Sequence, residues 1–304
     1  MRICSLLPSA TEIAFALGLG DDVVGVTHEC DYPHEARQKP IVVRSLIDAN
    51  PMSSAEIDGW VSERLRGNPS LYGIDEVKFR EAAPDLILTQ ELCEVCAVDY
   101  NEVAAAAKSL KEPATILALS PHCLTDVLRD IERVGAVTAR ADAARALVQR
   151  SHERIERVRQ TAAQSNTRPR VACLEWFDPV YAAGHWVPEM VELAGGFDVL
   201  GRREEPSARV EWTQVLDSVP EIIVLMPCGF ELRRTIQESA VLRKLPGWNH
   251  LPAVKNGHVY GVNGSAFFSR PGPRLVDGLE ILARIIHPEI FSEPDLSDSV
   301  QRIL

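Results

Sequence analysis

The chain has 304 residues, enough for two domains of ordinary size. Hydrophobic residues make up 46% and charged residues 25%, the balance of a globular chain rather than a disordered one. The formal net charge of −11 excludes nucleic acid and anionic membranes as expected partners, because both are held by a basic face.

The opening stretch, MRICSLLPSATEIAFALGLG, is interrupted at Pro8, Ser9, Thr11 and Glu12. A secretory signal needs an unbroken apolar run of about 7–15 residues, and no stretch reaches the roughly 20 apolar residues of a membrane span. With Met1 as the native start, the expected location is cytoplasmic, without membrane insertion. Ile3 to Leu7 reads as a strand. Ser9 followed by Glu12 reads as a capping box opening a helix that Gly18 and Gly20 end. Strands are expected at Val23 to Val26, Ile41 to Val43, Leu86 to Leu88 and Ile116 to Leu119, with helices at Ala55 to Leu65 and at Tyr100 to Leu110, the latter started by Asp99 and Glu102.

From His122 to about Gln164 the pattern is helical, with a break near Thr138 to Ala141. The second helix buries Ala144, Leu147, Val148, Ser151, Ile155 and Val158 on one narrow face. Beyond Pro169 the α/β alternation restarts. Strands are expected at Val171 to Leu174, Ile222 to Met226 and His258 to Val262, and helices at Val187 to Ala194, Trp212 to Leu216, Glu231 to Leu242 and Leu275 to Ile286. This order predicts an α/β protein of two parallel-sheet lobes joined by one long rigid helix. The expected boundaries are 1–121 for the N-terminal lobe, 122–167 for the helical connector and 168–304 for the C-terminal lobe.

Ligands of open parallel sheets sit beyond the carboxyl ends of the strands. The loops there carry His28, Glu29, Cys30 and Asp31; Gln90, Glu91, Cys93 and Cys96; Glu175, Trp176, His185 and Trp186; Cys228; and Phe267, Phe268 and Arg270. Cys4, Cys123 and Cys173 are expected in the core, since cysteine is among the most buried residue types. Trp60 and Trp212 read as packing residues. Seven cysteines is an odd number, so one thiol at least stays unpaired in any intramolecular scheme.

Cys93-x-x-Cys96 admits three readings. A redox dithiol belongs at a helix N-terminus, whereas the helix here begins after the pair. A metal site would draw on His28, Cys30, Cys93 and Cys96 as a tetrahedral set for zinc or another transition metal. A thiol-lined pocket wall, shared with Cys228, is the third. There is no G-x-G-x-x-G after the first strand, no Walker motif, no G-x-S-x-G elbow and no H-E-x-x-H. In RPGPR, residues 270–274, two prolines fix the chain leading to the last helix and the angle of Arg270 and Arg274.

RICSLLPSATEIAFALGLGDDVVGVT, APDLIL and KNGHVYGVN together resemble the class III substrate-binding proteins of ABC transporters, the vitamin B12 and iron-chelate receptors. HECDYP, LCEVCAV, EWFDP, GHWVPE, PCGF and FSRPGPRLVDGLE resemble a subgroup described as cobalamin-binding. The resemblance covers essentially the whole chain and implies a Venus-flytrap-like receptor with its ligand in a cleft between two lobes. It implies cobalamin or another corrinoid as ligand, held by the faces of Trp176, Trp186, Phe267 and Phe268, and a permease that docks on a glutamate of each lobe, near Glu76 on the first. Exported members carry a signal or lipid-anchor cysteine that this sequence does not show. The leading reading is a non-catalytic binding protein for a metal-containing small molecule. Two alternatives stay open: a thiol- and metal-dependent enzyme or metal-ion binder using the same cleft, and an importer subunit lacking its export signal.

Overall fold

The computed structural model describes residues 1–67, 71–91, 98–291 and 299–303. The chain divides into two compact units: Met1–Met52, Glu56–Pro121 and Thr125–Gln149 form the first, and Ser53–Ala55, His122–Leu124 and Arg150–Leu304 the second.

In the first unit, β1 (Ile3–Ser5) leads into α1 (Pro8–Ala16), followed by β2 (Val23–Thr27), β3 (Ile41–Ser45), α2 (Ser54–Gly67), β4 (Tyr72–Ile74), α3 (Glu76–Ala82), β5 (Leu86–Thr89), α4 (Tyr100–Ala107), β6 (Thr115–Ala118) and α5 (Leu124–Val137). α6 (Ala141–Ala162) is one 22-residue helix, beginning where the predicted break near Thr138 to Ala141 ends. The sheet order is β4-β3-β2-β1-β5-β6, parallel except for the antiparallel edge strand β4. Connections run outward from β1 on one side through β2, then return to place β5 on its other side. That reversal makes the carboxyl ends of β1 and β5 a topological switch point. The strands are short and apolar on both faces: Cys4, Leu6, Val42, Val43, Phe79 and Ile87 share one core cluster. Burial pushes the Cys4 thiol up to about 12, so this cysteine is a small hydrophobe.

α1 starts two residues earlier than the capping box at Ser9 predicts. Pro8 takes the first helical position, where its fixed φ costs nothing, and Ser9 and Glu12 are buried within the helix. At α4 the expected cap forms: the Asp99 carboxylate accepts from the N–H of Asn101 and Glu102.

The second unit runs β7 (Arg170–Phe177), β8 (Val180–Ala182), α7 (Val187–Leu193), β9 (Phe197–Asp198), β10 (Ala208–Arg209), α8 (Trp212–Asp217), β11 (Ile222–Leu225), α9 (Leu232–Glu238), α10 (Pro252–Lys255), β12 (Val259–Val262), α11 (Gly264–Phe267), α12 (Leu275–Ile286) and β13 (Val300–Arg302). Its sheet order is β10-β8-β7-β11-β12-β13, with β9 beside β7. β7, β11 and β12 are parallel, whereas β8, β10 and β13 are antiparallel additions. The sheet is therefore mixed, not purely parallel as the sequence predicts, because the added strands are only two or three residues long and leave little periodicity. The expected helix at Glu231 to Leu242 also ends early, passing into a 3-10 turn at Ser239–Lys244. Arg154 of α6 holds α12 through Glu280 at 2.8–2.9 Å and Asp277 at 2.6 Å. Among the described residues, no helix is long and apolar enough to cross a membrane.

Candidate functional site

At the carboxyl end of β2, the Cys30 sulfur lies 3.0 Å from the Thr11 hydroxyl and 3.3 Å from that of Thr27, and Thr11 in turn donates to Ser5 Oγ at 2.8 Å. Cys30 is buried. Its thiol is thus built into a polar knot under α1. His28 and Glu29 are exposed beside it, 3.9 Å apart, with the His28 ring tilted against Tyr72. Asp31 is half-buried, and Arg37 approaches its carboxylate to 3.9 Å. Beyond β5, Gln90 is buried, and the exposed Glu91 is anchored by its N–H donating to Ser120 Oγ. Cys93 and Cys96 lie outside the described residues. Among the described residues, no group of three or more His, Cys, Asp or Glu is placed to hold a metal ion.

The second unit concentrates the aromatic chemistry. β7 outruns its neighbour: Leu174 is the last residue paired with β11, while Trp176 and Phe177 continue into the hairpin with β8 across a register irregularity. A bulge of this kind re-aims a side chain. Here it sets Trp176 against Phe230, from the loop after β11, with ring centroids 5.1 Å apart and planes tilted by 55°. The Arg234 guanidinium lies 3.9 Å over the other aromatic, Phe230, a close cation–π contact. Burial lowers the Arg234 pKa, and the nearby Glu238 opposes that. The Trp176 indole donates to Ser54 O at 3.1 Å, and Glu238 accepts from both the N–H and the hydroxyl of Ser54. Cys228 is half-buried in the same loop, its N–H donating to Glu175 O.

Glu175 is held from behind. Ser207 donates to its carboxylate at 2.6 Å, and the Gly184 N–H donates to the same Ser207. Burial raises the Glu175 pKa, partly offset by those donors. Gly184 is required here, since a Cβ would collide with the carbonyl of Glu205. The next residue, His185, adopts φ +51°. Its ring centroid is 6.2 Å from that of His122 and 5.4 Å from that of Trp186. Burial, then the neighbouring His122, holds its pKa below the usual histidine range.

Two of the aromatic faces expected for a ligand are in the core instead. Trp186 is 5% exposed and Phe268 3%, and the Trp186 indole donates to Phe268 O at 2.8 Å. Their size and the indole's need for a buried acceptor favour packing over presentation. Phe267 and Arg270 are half-buried beyond β12, with Arg274 5.8 Å from the Phe267 centroid. Of the cysteines expected in the core, Cys4 and Cys173 are buried but Cys123 is only half-buried. The structure thus gathers Glu175, Trp176 and Cys228 at one strand end and His185 close by. It adds Ser54, His122, Ser207, Phe230 and Arg234, which the sequence did not single out as site residues. His122 had a usable signal: it follows a strand, β6, whose carboxyl-end loop belongs under the same rule as the others.

A family model described as periplasmic binding protein matches residues 3–266. The chain belongs to this family. An uncharacterized ABC transporter substrate-binding lipoprotein, YvrC of Bacillus subtilis, is 28% identical over 96% of this chain and 82% of its own. The vitamin B12-binding protein of Vibrio cholerae is 27% identical over 92% of this chain and 86% of its own. The crystal structure of the periplasmic vitamin B12 binding protein BtuF of Vibrio cholerae superposes with a TM-score of 0.68 at 25% identity, covering 94% of this chain and 96% of that one. The periplasmic binding protein fold, two sheet-bearing α/β units, is therefore that of the chain, and the relatives named here are binding proteins.

Proposed function

We propose that this periplasmic binding protein family member binds a corrinoid or a closely related metal-containing macrocycle and hands it to a membrane permease. The observation that carries the reading is the cluster of Trp176, Phe230 and Arg234 at the carboxyl ends of β7 and β11. A broad, flat ligand with polar or anionic substituents suits it: the half-buried Trp176 indole offers a face, backed by the buried Phe230, and the half-buried Arg234 brings a positive charge. Similarity to a vitamin B12-binding protein across nine-tenths of the chain supports the ligand class, and similarity to a transporter lipoprotein supports the permease.

The test is calorimetric titration with cyanocobalamin, aquocobalamin, diaquocobinamide and haemin. At least one is expected to bind with a Kd below about 10 µM, and Trp176→Ala to weaken it about tenfold or more while the far-UV spectrum stays unchanged. Absence of binding by all four, or an unaltered Kd in the variant, overturns the reading.

A further inference from the structure

We propose that Glu238 is a specificity-determining residue of the cargo site: it fixes the Trp176 indole through Ser54 and balances the charge of Arg234, so that a macrocycle carrying neutral amides is preferred to one carrying free carboxylates. This rests on the ligand class proposed above and narrows it.

The geometry closes a ring of contacts, all within the second compact unit. The Trp176 indole donates to Ser54 O at 3.1 Å. Ser54 in turn donates to Oε2 of Glu238, from its N–H at 3.2 Å and from its hydroxyl at 3.3 Å. Glu238 and Arg234 stand one turn apart on α9 and so share a face. Arg234 lies 3.9 Å over Phe230, whose ring centroid is 5.1 Å from that of Trp176. One carboxylate thus stands behind both groups that the cargo is expected to meet.

Two features speak against a plain helix cap. Ser54 opens α2, and the free N–H groups of a first turn are ordinarily met by a neighbouring side chain at the N-cap. Here the acceptor comes from 184 residues further along the chain. Glu238 is also the last residue of α9, where the helix dipole disfavours a negative charge. A carboxylate at the wrong end of its own helix is there for what it holds elsewhere.

The charges then select the cargo. A guanidinium without a counter-charge would draw carboxylates strongly. Glu238, at the next turn, supports the Arg234 charge against burial and cancels its field at a distance. Glu231 and Arg233, exposed on the same stretch, are also of opposite sign. An indole face and a guanidinium set in surroundings of little net charge suit amide oxygens better than many anions.

The test pairs dicyanocobinamide with dicyanocobyrinic acid, the same corrin with its amides replaced by carboxylates, in titrations of the full chain. Dicyanocobinamide is expected to bind at least about tenfold tighter, and Glu238→Gln, which keeps an oxygen for Ser54 but not the charge, to narrow that gap about fivefold or more. Glu221→Gln removes the same charge just before β11, at its amino end, and is expected to leave the gap as it was. Positioning is read without cargo, from the exchange of the Trp176 indole N–H with water followed by NMR, its signal assigned through Trp176→Phe. Glu238→Ala is expected to speed that exchange about tenfold or more, while the buried Trp186 indole stays protected and reports an intact fold. Where Glu238→Ala loosens both indoles, Ser54→Ala, which removes one donor alone, takes its place. Tighter binding of the carboxylate form by the unmodified chain, a gap that Glu238→Gln leaves unchanged or Glu221→Gln narrows as much, or unaltered Trp176 exchange overturns the proposal. Should both corrins still weaken in Trp176→Ala, the corrinoid reading itself survives; if neither binds, both fall.

Discussion

At the carboxyl end of β2 a thiol and three hydroxyls close on one another, with exposed His28 and Glu29 outside them. At the carboxyl end of β7 two aromatic rings pack at a tilt with a guanidinium over one of them, and a pair of imidazoles lies nearby. Both regions follow parallel strands, and both drew attention for their cysteines, histidines and carboxylates. The difference lies in where polar atoms find their partners. Around Cys30 they are satisfied by one another, which makes a structural plug. Around Trp176 and His185 they are satisfied from behind, by Ser54, Ser207 and backbone groups, which leaves ring faces to be used.

The largest blow to this contrast comes from Trp186→Ala. Removing a buried indole and its hydrogen bond should cost about 3–5 kcal/mol, read as a fall in the urea midpoint. A small effect would mean that the support behind His185 is looser than the geometry shows. Next in size is a pH effect at Asp198, in the same unit. Its carboxylate accepts from the N–H of Leu200 and Gly201, while Oδ2 is sealed away without a partner. Burial outweighs those bonds and raises its pKa from 3.8 to about 6. Between those values the folded chain keeps a proton that the unfolded chain has lost. Stability from this group is present below the lower value and fades as pH rises through the upper one, by on the order of 2–3 kcal/mol. Asp198→Asn should flatten that slope in denaturation curves collected from pH 4 to 7.

Trp176→Ala comes third: about tenfold or more in macrocycle affinity, with a stability loss of only about 1 kcal/mol, since the indole is half-buried. Cys30→Ala should do least, about 1 kcal/mol from the broken hydrogen bonds and no change in Kd. A loss of affinity there would move the ligand chemistry to the first unit and reverse the contrast.

Much of the architecture was legible because it is written in apolar runs. β1, β2, β3, β5, β6, β7, β11 and β12 all fall on short stretches rich in Val, Ile and Leu, and α12 falls on Leu275–Ile286 as its periodicity predicts. β4, β8, β9, β10 and β13 did not stand out, being two or three residues long and only partly apolar, so pairing partners rather than their own sequence define them. The site was legible by location more than by role. Strand-end loops correctly drew notice to Glu175, Trp176 and His185, but sequence does not tell an indole that stacks from one that anchors. Trp176 and Trp186 look alike on the page, and both indoles find a carbonyl, Ser54 O and Phe268 O, but Trp186 is buried whole and Trp176 only by half. Arg234 and Ser54 enter through folding alone, one from a helix face and one from more than a hundred residues upstream.

The overshoot of β7 past β11 separates two kinds of inheritance. Everything up to Leu174 is committed to the sheet, where change is punished by lost pairing and packing. Beyond it the hairpin is still tied down by Phe177 and Val180, buried in the core, and by Tyr181 paired with Arg209 of β10, but the side chains of Trp176, Asp178 and Pro179 stay outside that core. Substitution at those three can reshape what the protein recognises while the scaffold stays as it was, so a lineage built on this fold can exchange one cargo for another in a few steps, and a protein engineer can begin at the same three residues.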